Sequence, residues 1–221
     1  AVRLLHINHG LSLNAQCWQQ QVERWAEQMG LPCVCIAVDV DRQAASLEQA
    51  ARDARYGAFA STMGPAEALL LAHHRDDQAE TLLLRLLRGS GLKGLTAMAP
   101  VRTLGQGHLL RPLLSIGRAQ LAAYAQHHSL VWVEDESNSE QRFDRNWLRH
   151  SLIPLLGTRW PAASEQLAHT CARLRDEQEL LDTYLAEDFR SGEARQERLG
   201  HSLLLAPLLR GSNLRRNALL R

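Results

Sequence analysis

The chain has 221 residues, 45% of them hydrophobic and 22% charged, with a net charge of +1. That suits a globular protein with one sizeable domain and part of a second. No run of about 18 apolar residues exists to span a membrane, and no secretory leader opens the sequence. Four cysteines without a C-x-x-C pair signal neither a zinc ribbon nor an iron–sulfur site and fit a reducing, cytoplasmic setting. Ala1 is not a methionine and stands at the start of a strand-like segment, so an N-terminal piece is expected to be missing.

Val2 to Ile7 reads as a short buried strand running into His6-Ile-Asn-His-Gly10. Trp18, Val22, Trp25, Ala26 and Met29 repeat at a helical period, predicting a helix from Asn14 to Met29 that Gly30 closes and Pro32 cannot extend. Cys33 to Val38 reads as a second buried strand. Ser46 with Gln49 forms a capping box opening an alanine-rich helix to about Ala60. Ala68 to Ala72 is a third strand, followed by an acidic turn, the apolar helix Thr81 to Leu87 and a stop at Gly89. His108 to Leu110, a helix from Arg118 to His128, and a strand from Leu130 to Val133 continue the alternation. A charged loop, Glu134 to Asp144, leads to a helix ending near Leu156. Trp160-Pro161 marks a boundary, beyond which Ala163 to Phe189 is one long helical segment. Strands alternating with helices predict an α/β fold with a doubly wound parallel sheet, followed by part of a smaller helical domain.

Charge gathers where the third strand hands over to its helix. His73, His74, Arg75, Asp76, Asp77 and Glu80 fall within eight residues, at the kind of position where open α/β sheets place ligands. On a helix, His73, Asp77 and Glu80 fall at i, i+4 and i+7, so they share one face. Two carboxylates there suit a bound cation, a metal or a substrate amine. Acids in a first helical turn also complement the helix dipole, but the doubled histidine favours a site. No H-E-x-x-H or H-x-H spacing supports zinc, and no metal ligands are assigned.

Other strand exits should line the same edge: His6 to Gly10, and Glu134-Asp135. His9 is either a site residue or the cap of a turn with Gly10. Arg52 and Arg55, on the alanine-rich helix, have the spacing to clamp phosphate oxygens, or to pair with Asp53 or Glu48. Arg55 beside Tyr56 favours function. Arg88-Gly-Ser-Gly91 follows a helix instead of preceding one, so it reads as a helix end and not as a phosphate loop. Arg145 and Arg149, at i and i+4 behind Asp144, make a candidate nucleotide or RNA contact. From Arg198 to Arg221 there are five arginines and no acid (198, 210, 215, 216 and 221). This stretch either meets nucleic-acid phosphates or forms a solvated face.

In order along the chain, His6-Ile-Asn-His-Gly10, Leu47-Glu-Gln-Ala-Ala-Arg-Asp-Ala-Arg-Tyr56, Ala72-His-His-Arg-Asp-Asp-Gln-Ala-Glu-Thr81, Arg88-Gly-Ser-Gly91, Arg111-Pro-Leu-Leu114, Glu134-Asp-Glu-Ser-Asn138 and Arg145-Asn-Trp-Leu-Arg149 resemble tRNA(Ile)-lysidine synthetases of the PP-loop ATP pyrophosphatase superfamily. The resemblance covers about Ala1 to Pro154 and continues more weakly to the end. It implies an adenine nucleotide alpha hydrolase-like, Rossmann-like domain over 1–160 and a partial helical tRNA-binding or substrate domain over 161–221. The family's Ser-Gly-Gly-x-Asp-Ser pyrophosphate loop has no counterpart in these residues. The first domain is therefore expected to lack its first strand and loop, which leaves open whether these residues alone bind ATP.

The resemblance implies ATP-dependent attachment of L-lysine to C2 of the wobble cytidine of an isoleucine tRNA with a CAU anticodon. ATP, with Mg2+, adenylates the cytidine oxygen, and the lysine ε-amine displaces AMP. Asp77 and Glu80, with His73 beside them, would recognise the lysine and help remove its proton. Arg55, His9 and Arg149 would contact the nucleotide or substrate, and Arg145, Arg215 and Arg216 the tRNA. The setting is cytoplasmic with no membrane partner, and a homodimer stands open. The alternatives are another PP-loop tRNA-modifying enzyme, such as a thiolase, and a non-catalytic RNA-binding remnant. Cys33-Val-Cys35 inside a strand argues against the thiolase.

Overall fold

The computed structural model describes residues 1–41, 43, 47–191, 195–197, 200–202 and 212–219, with the side chains of 139, 191, 195–197, 200–202, 216 and 219 left out. The chain forms two compact units, one from Ala1–His74 and Ala99–Asn138, the other from Arg75–Met98 and Ser139–Arg221.

The first unit opens with strand β1 (Leu4–Asn8), helix α1 (Ala15–Gln28) and strand β2 (Cys33–Ala37). β1 and β2 pair in parallel, Leu4 opposite Cys33 through Asn8 opposite Ala37. α1 ends as its sequence predicts: Gly30 adopts φ +65, and the amides of Gly30 and Leu31 bond back to the carbonyls of Glu27 and Ala26, closing the orphan carbonyls of the last turn. Helix α2 (Leu47–Thr62) follows; the expected cap, Ser46, lies outside the described residues.

Strand β3 (Ala68–Leu70) pairs in parallel with β5 (Gly107–Leu110), and β5 pairs antiparallel with β4 (Val101–Leu104). The β4–β5 hairpin extends the expected His108–Leu110 strand. Gly105, at φ +57, makes the hairpin turn, and a Cβ there would lie 2.4 Å from the Ala60 carbonyl oxygen. Gly105 is thus required both by the turn and by the close approach of α2. Phe59 and Met63 of α2 pack with Leu104 and Leu109, flanked by Leu5, Ile7 and Leu69. One apolar core therefore lies beneath strands from both sheets. Helix α5 (Arg118–His127) completes the regular elements of this unit.

Two expectations are corrected here. Leu130 to Val133 does not form a described strand: its four side chains are exposed by 52, 77, 51 and 42%. An apolar run states a preference for burial without specifying a partner, and no described strand pairs with it. His73 is not helical either, because helix α3 runs Arg75–Leu87. The amide of Leu71 still bonds to the Leu110 carbonyl, so the chain remains extended past β3 and uses Ala72 to His74 to turn.

The second unit is helical. α3 and the short α4 (Leu92–Leu95) pack against α8 (Ala163–Ser191), which follows α6 (Asp144–Trp147), a π-helical stretch (Leu148–Leu152) and α7 (Ile153–Arg159). Its core joins Leu82, Ala97 and the fully buried Cys171, with Leu95 and Leu167 beside them. Arg175 donates to the carbonyls of Thr96 and Met98, and Gln78 exchanges two hydrogen bonds with the backbone of Met98. These contacts divide the compact units elsewhere than at Pro161, because α3 and α4 bury their apolar sides on α8. A two-stranded ribbon, β6 (Arg195–Glu197) with β7 (Gly200–Ser202), and helix α9 (Asn213–Leu219) end the described chain.

Candidate functional site

In the first unit, residues converge just past the C-terminal ends of the parallel strands. After β1, the Asn8 Oδ1 accepts from the Gly10 amide at 3.0 Å and the His9 Nδ1 from the Leu11 amide at 3.3 Å, with Gly10 at φ +59. His9 thus caps its own turn. Burial first, and then the positive Arg55, hold its imidazole below the ordinary value of 6.5, against the pull of Asp135. His9, Arg55 and Asp135 therefore share one electrostatic neighbourhood, although no described strand leads into Asp135. Ser12 and Asn14 donate to Glu136 at 2.6 and 3.3 Å, tying the same loop to the start of α1.

Beyond β3 and β5, Arg111 donates from Nε to His73 Nδ1 at 3.2 Å and from Nη1 to the Ala99 carbonyl at 2.7 Å. The structure places His73 with Arg111, not on a helical face with Asp77. Arg111 is only 4% exposed, and sequence reasoning gave it no role of its own. The available signal was a lone charge directly after an apolar strand.

The second unit holds Asp77, Glu80, Arg145 and Arg149 in one cluster. Asp77 and Glu80 are i and i+3 on α3, so they share a face. Glu80 is 1% exposed. It accepts from Arg145 Nε at 2.7 Å and from Arg149 Nε and Nη2 at 2.7 and 3.0 Å. Asp77 Oδ1 accepts from Arg145 and Arg149 at 3.4 and 3.3 Å. The longer contacts leave the Asp77 side chain 12% exposed against 1% for Glu80. Burial would lower the Arg149 guanidinium, but its hydrogen bond to Glu80 and the charges of Glu80, Asp77 and Asp76 outweigh that and raise it. Two half-buried cations facing two buried anions offset one another's desolvation only because the hydrogen bonds are also made. Asp76 points elsewhere, accepting from Ser164 Oγ at 2.8 Å.

Residues expected in separate roles, lysine recognition and phosphate or tRNA contact, thus meet in one network. Arg88 to Gly91 is a helix end: Gly89, at φ +70, and Ser90 bond back to Leu86 and Arg85. At the C-terminus, Arg215 pairs with Asp188 of α8, an acid that lies outside the acid-free stretch. Arg198, Arg210 and Arg221 lie outside the described residues, as does the Arg216 side chain.

Among the described residues, no group of three or more His, Cys, Asp and Glu is arranged to hold a metal. Mg2+ has no ligand set among them. No described helix is long and apolar enough to cross a membrane.

The PP-loop domain family matches residues 1–156. The chain is 46% identical over 194 residues to the tRNA(Ile)-lysidine synthase of Pseudomonas syringae pv. tomato, covering 88% of this chain and 43% of that protein. It is 50% identical over 186 residues to the enzyme of that name from Serratia proteamaculans, covering 84% and 43%. Against the one from Escherichia coli O157:H7 it is 42% identical over 221 residues, covering 100% and 50%. The chain spans about half the length of these curated relatives, or somewhat less. Among solved structures, the U34-tRNA thiolase NcsA from Methanococcus maripaludis, with its [4Fe-4S] cluster, matches with a TM-score of 0.61 at 13% identity, covering 77% of this chain and 60% of that one. At that identity the likeness shows a shared fold.

Proposed function

The chain belongs to the PP-loop domain family, and from that premise we propose that it is the part of a tRNA(Ile)-lysidine synthase that carries out lysine ligation. The observation carrying this reading is 42–50% identity to curated enzymes of that name across 84–100% of the chain. ATP transfers AMP to O2 of the wobble cytidine and releases pyrophosphate. The lysine ε-amine then forms a bond to C2 as the C2–O2 bond breaks and AMP leaves. The substrates are ATP, L-lysine and the CAU-anticodon isoleucine tRNA, and the setting is the bacterial cytoplasm. Mg2+ accompanies the triphosphate.

Asp77 and Glu80 recognise the lysine ammonium, and Asp77, the more exposed carboxylate, accepts its proton before attack. The two arginines orient both carboxylates while no amine is present. An incoming phosphate competes for Arg149, and its departure leaves negative charge for the ammonium to balance. His9, Arg55 and His73 stand at the strand-exit edge, where Arg55 and His9 contact the nucleotide and His73 orients the substrate. Residues 161–221, with Arg145, Arg215 and Arg216, face the tRNA.

The thiolase alternative fares worse. Among the described residues Cys33 and Cys35 lie inside β2, Cys17 lies on α1 and Cys171 is fully buried, so no pair of cysteines stands at the strand-exit edge to carry sulfur. The test is wobble-base dependence: the complete gene product should modify a CAU-anticodon transcript with lysine and leave the same transcript untouched when its wobble cytidine is replaced by uridine. Modification of the uridine transcript would contradict the reading.

A further inference from the structure

Three cations in the first unit surround Tyr56. The Cζ of Arg52 on α2 and that of Arg102 on β4 each lie 4.9 Å from the ring centroid. Arg111 stands beside them, 4% exposed. It donates hydrogen bonds to a carbonyl and an imidazole nitrogen, both uncharged acceptors. Among the described residues, no ion pair joins Arg52, Arg102 or Arg111 to a carboxylate. The phenol oxygen of Tyr56 is buried and meets no donor at ordinary hydrogen-bond geometry, its polar contact being with Arg111.

A buried guanidinium is ordinarily paired, because an uncompensated charge inside a protein is costly. Burial lowers the Arg111 guanidinium most, the contact with Tyr56 opposes that, and the nearby cations Arg102 and Arg52 add to the lowering. Stacking on an aromatic ring offsets part of this cost but supplies no net negative charge. The place is also informative. β5 ends at Leu110, immediately before Arg111, and antiparallel β4 begins there, with Arg102 opposite Leu109. β3 ends alongside, at Leu70 opposite Leu110. This is the C-terminal edge of the parallel pair, where such sheets receive ligands.

We propose that Arg52, Arg102 and Arg111, with the Tyr56 hydroxyl, form a binding site for a phosphate group. Guanidinium forks match phosphate oxygens, and the phenol donates one further hydrogen bond. Two sources offer this chemistry, a nucleotide polyphosphate and the RNA backbone.

The test uses the complete gene product and reads binding alone, so it does not depend on whether lysine is ligated. Inorganic pyrophosphate and a tRNA transcript are titrated separately into the wild type, Arg102→Gln, Arg52→Gln and Tyr56→Phe, each with its melting temperature measured. The two arginine variants are read independently, so a folding defect in one leaves the other informative. Arg102→Gln should weaken one of the two probes about tenfold, the loss expected of a charge-assisted hydrogen bond. Loss with pyrophosphate identifies a nucleotide source. Loss with tRNA, with the log–log salt slope shallower by about 0.7 to 0.9, identifies the backbone. Wild-type affinity for both probes in the folded variants, or a wild type that binds neither, overturns the site and leaves the arginines as packing on Tyr56.

Discussion

Glu80→Gln removes one negative charge from a cluster in which Glu80 is 1% exposed and takes three arginine hydrogen bonds at 2.7 to 3.0 Å. The amide can still accept on one oxygen, but its NH2 then faces a guanidinium that only donates. Breaking a buried ion pair by removing one partner costs about 3–5 kcal/mol. The retained acceptor places the expected loss near the lower end, about 3 kcal/mol. For a chain of this size each kcal/mol lowers the melting temperature by about 2–4 °C, so a fall of about 6–12 °C is expected. Asp77→Asn should cost less, because its contacts are 3.3 to 3.4 Å long and its side chain is partly exposed. The functional readout differs between steps. In the complete gene product, held below the melting transition, both variants should raise the lysine concentration needed for ligation and leave adenylation of the tRNA largely intact. Pairing Glu80→Gln with Arg149→Met in a double-mutant cycle should show coupling of at least about 1.5 kcal/mol. Unchanged melting, unchanged lysine dependence and no coupling would refute both the network and its role.

Gly105→Ala should destabilise the chain by more than about 1 kcal/mol, seen as a lower denaturation midpoint, since it combines a positive φ with a Cβ 2.4 Å from the Ala60 oxygen. His9 and His6 are both held below 6.5, chiefly by burial. As pH falls below about 6.5 the unfolded chain binds protons that the folded chain refuses. Their contribution is therefore complete above that pH and lost below it, and melting curves should show His9→Gln flattening the acid slope. Arg215→Glu with Arg216→Glu should weaken cognate and non-cognate tRNAs alike, because phosphate contacts position without reading sequence. An unchanged dissociation constant and salt slope would identify a solvated face instead.

Three helices were legible to within a residue or two at their ends: α1, α5 and α8 lie close to where Asn14 to Met29, Arg118 to His128 and Ala163 to Phe189 place them. Short strands were harder. Val101 to Leu104 carries too few residues to show alternation, and only its pairing across Gly105 reveals the hairpin. Leu130 to Val133 has strand composition but no described partner. At the site, each pair was visible by its spacing, Asp77 with Glu80 and Arg145 with Arg149. Their meeting was not, since 65 to 72 residues separate them and a single sequence carries no record of such contacts. His73 was misplaced because periodicity ignores the residues a strand needs to turn into a helix. The cluster around Tyr56 was half visible, as Arg52 beside Arg55. Its other members come from β4 and from just past β5, and only the hairpin brings them there.

Lysine ligation is tested most directly by a single-turnover reaction of the complete gene product with ATP labelled in its α-phosphate, labelled lysine and the CAU-anticodon isoleucine tRNA transcript. Without lysine, AMP should accumulate on the tRNA. On addition of lysine, that AMP should leave as one lysine is gained per tRNA. Lysine gained without prior transfer of AMP, or AMP that stays on the tRNA when lysine is supplied, would contradict the account.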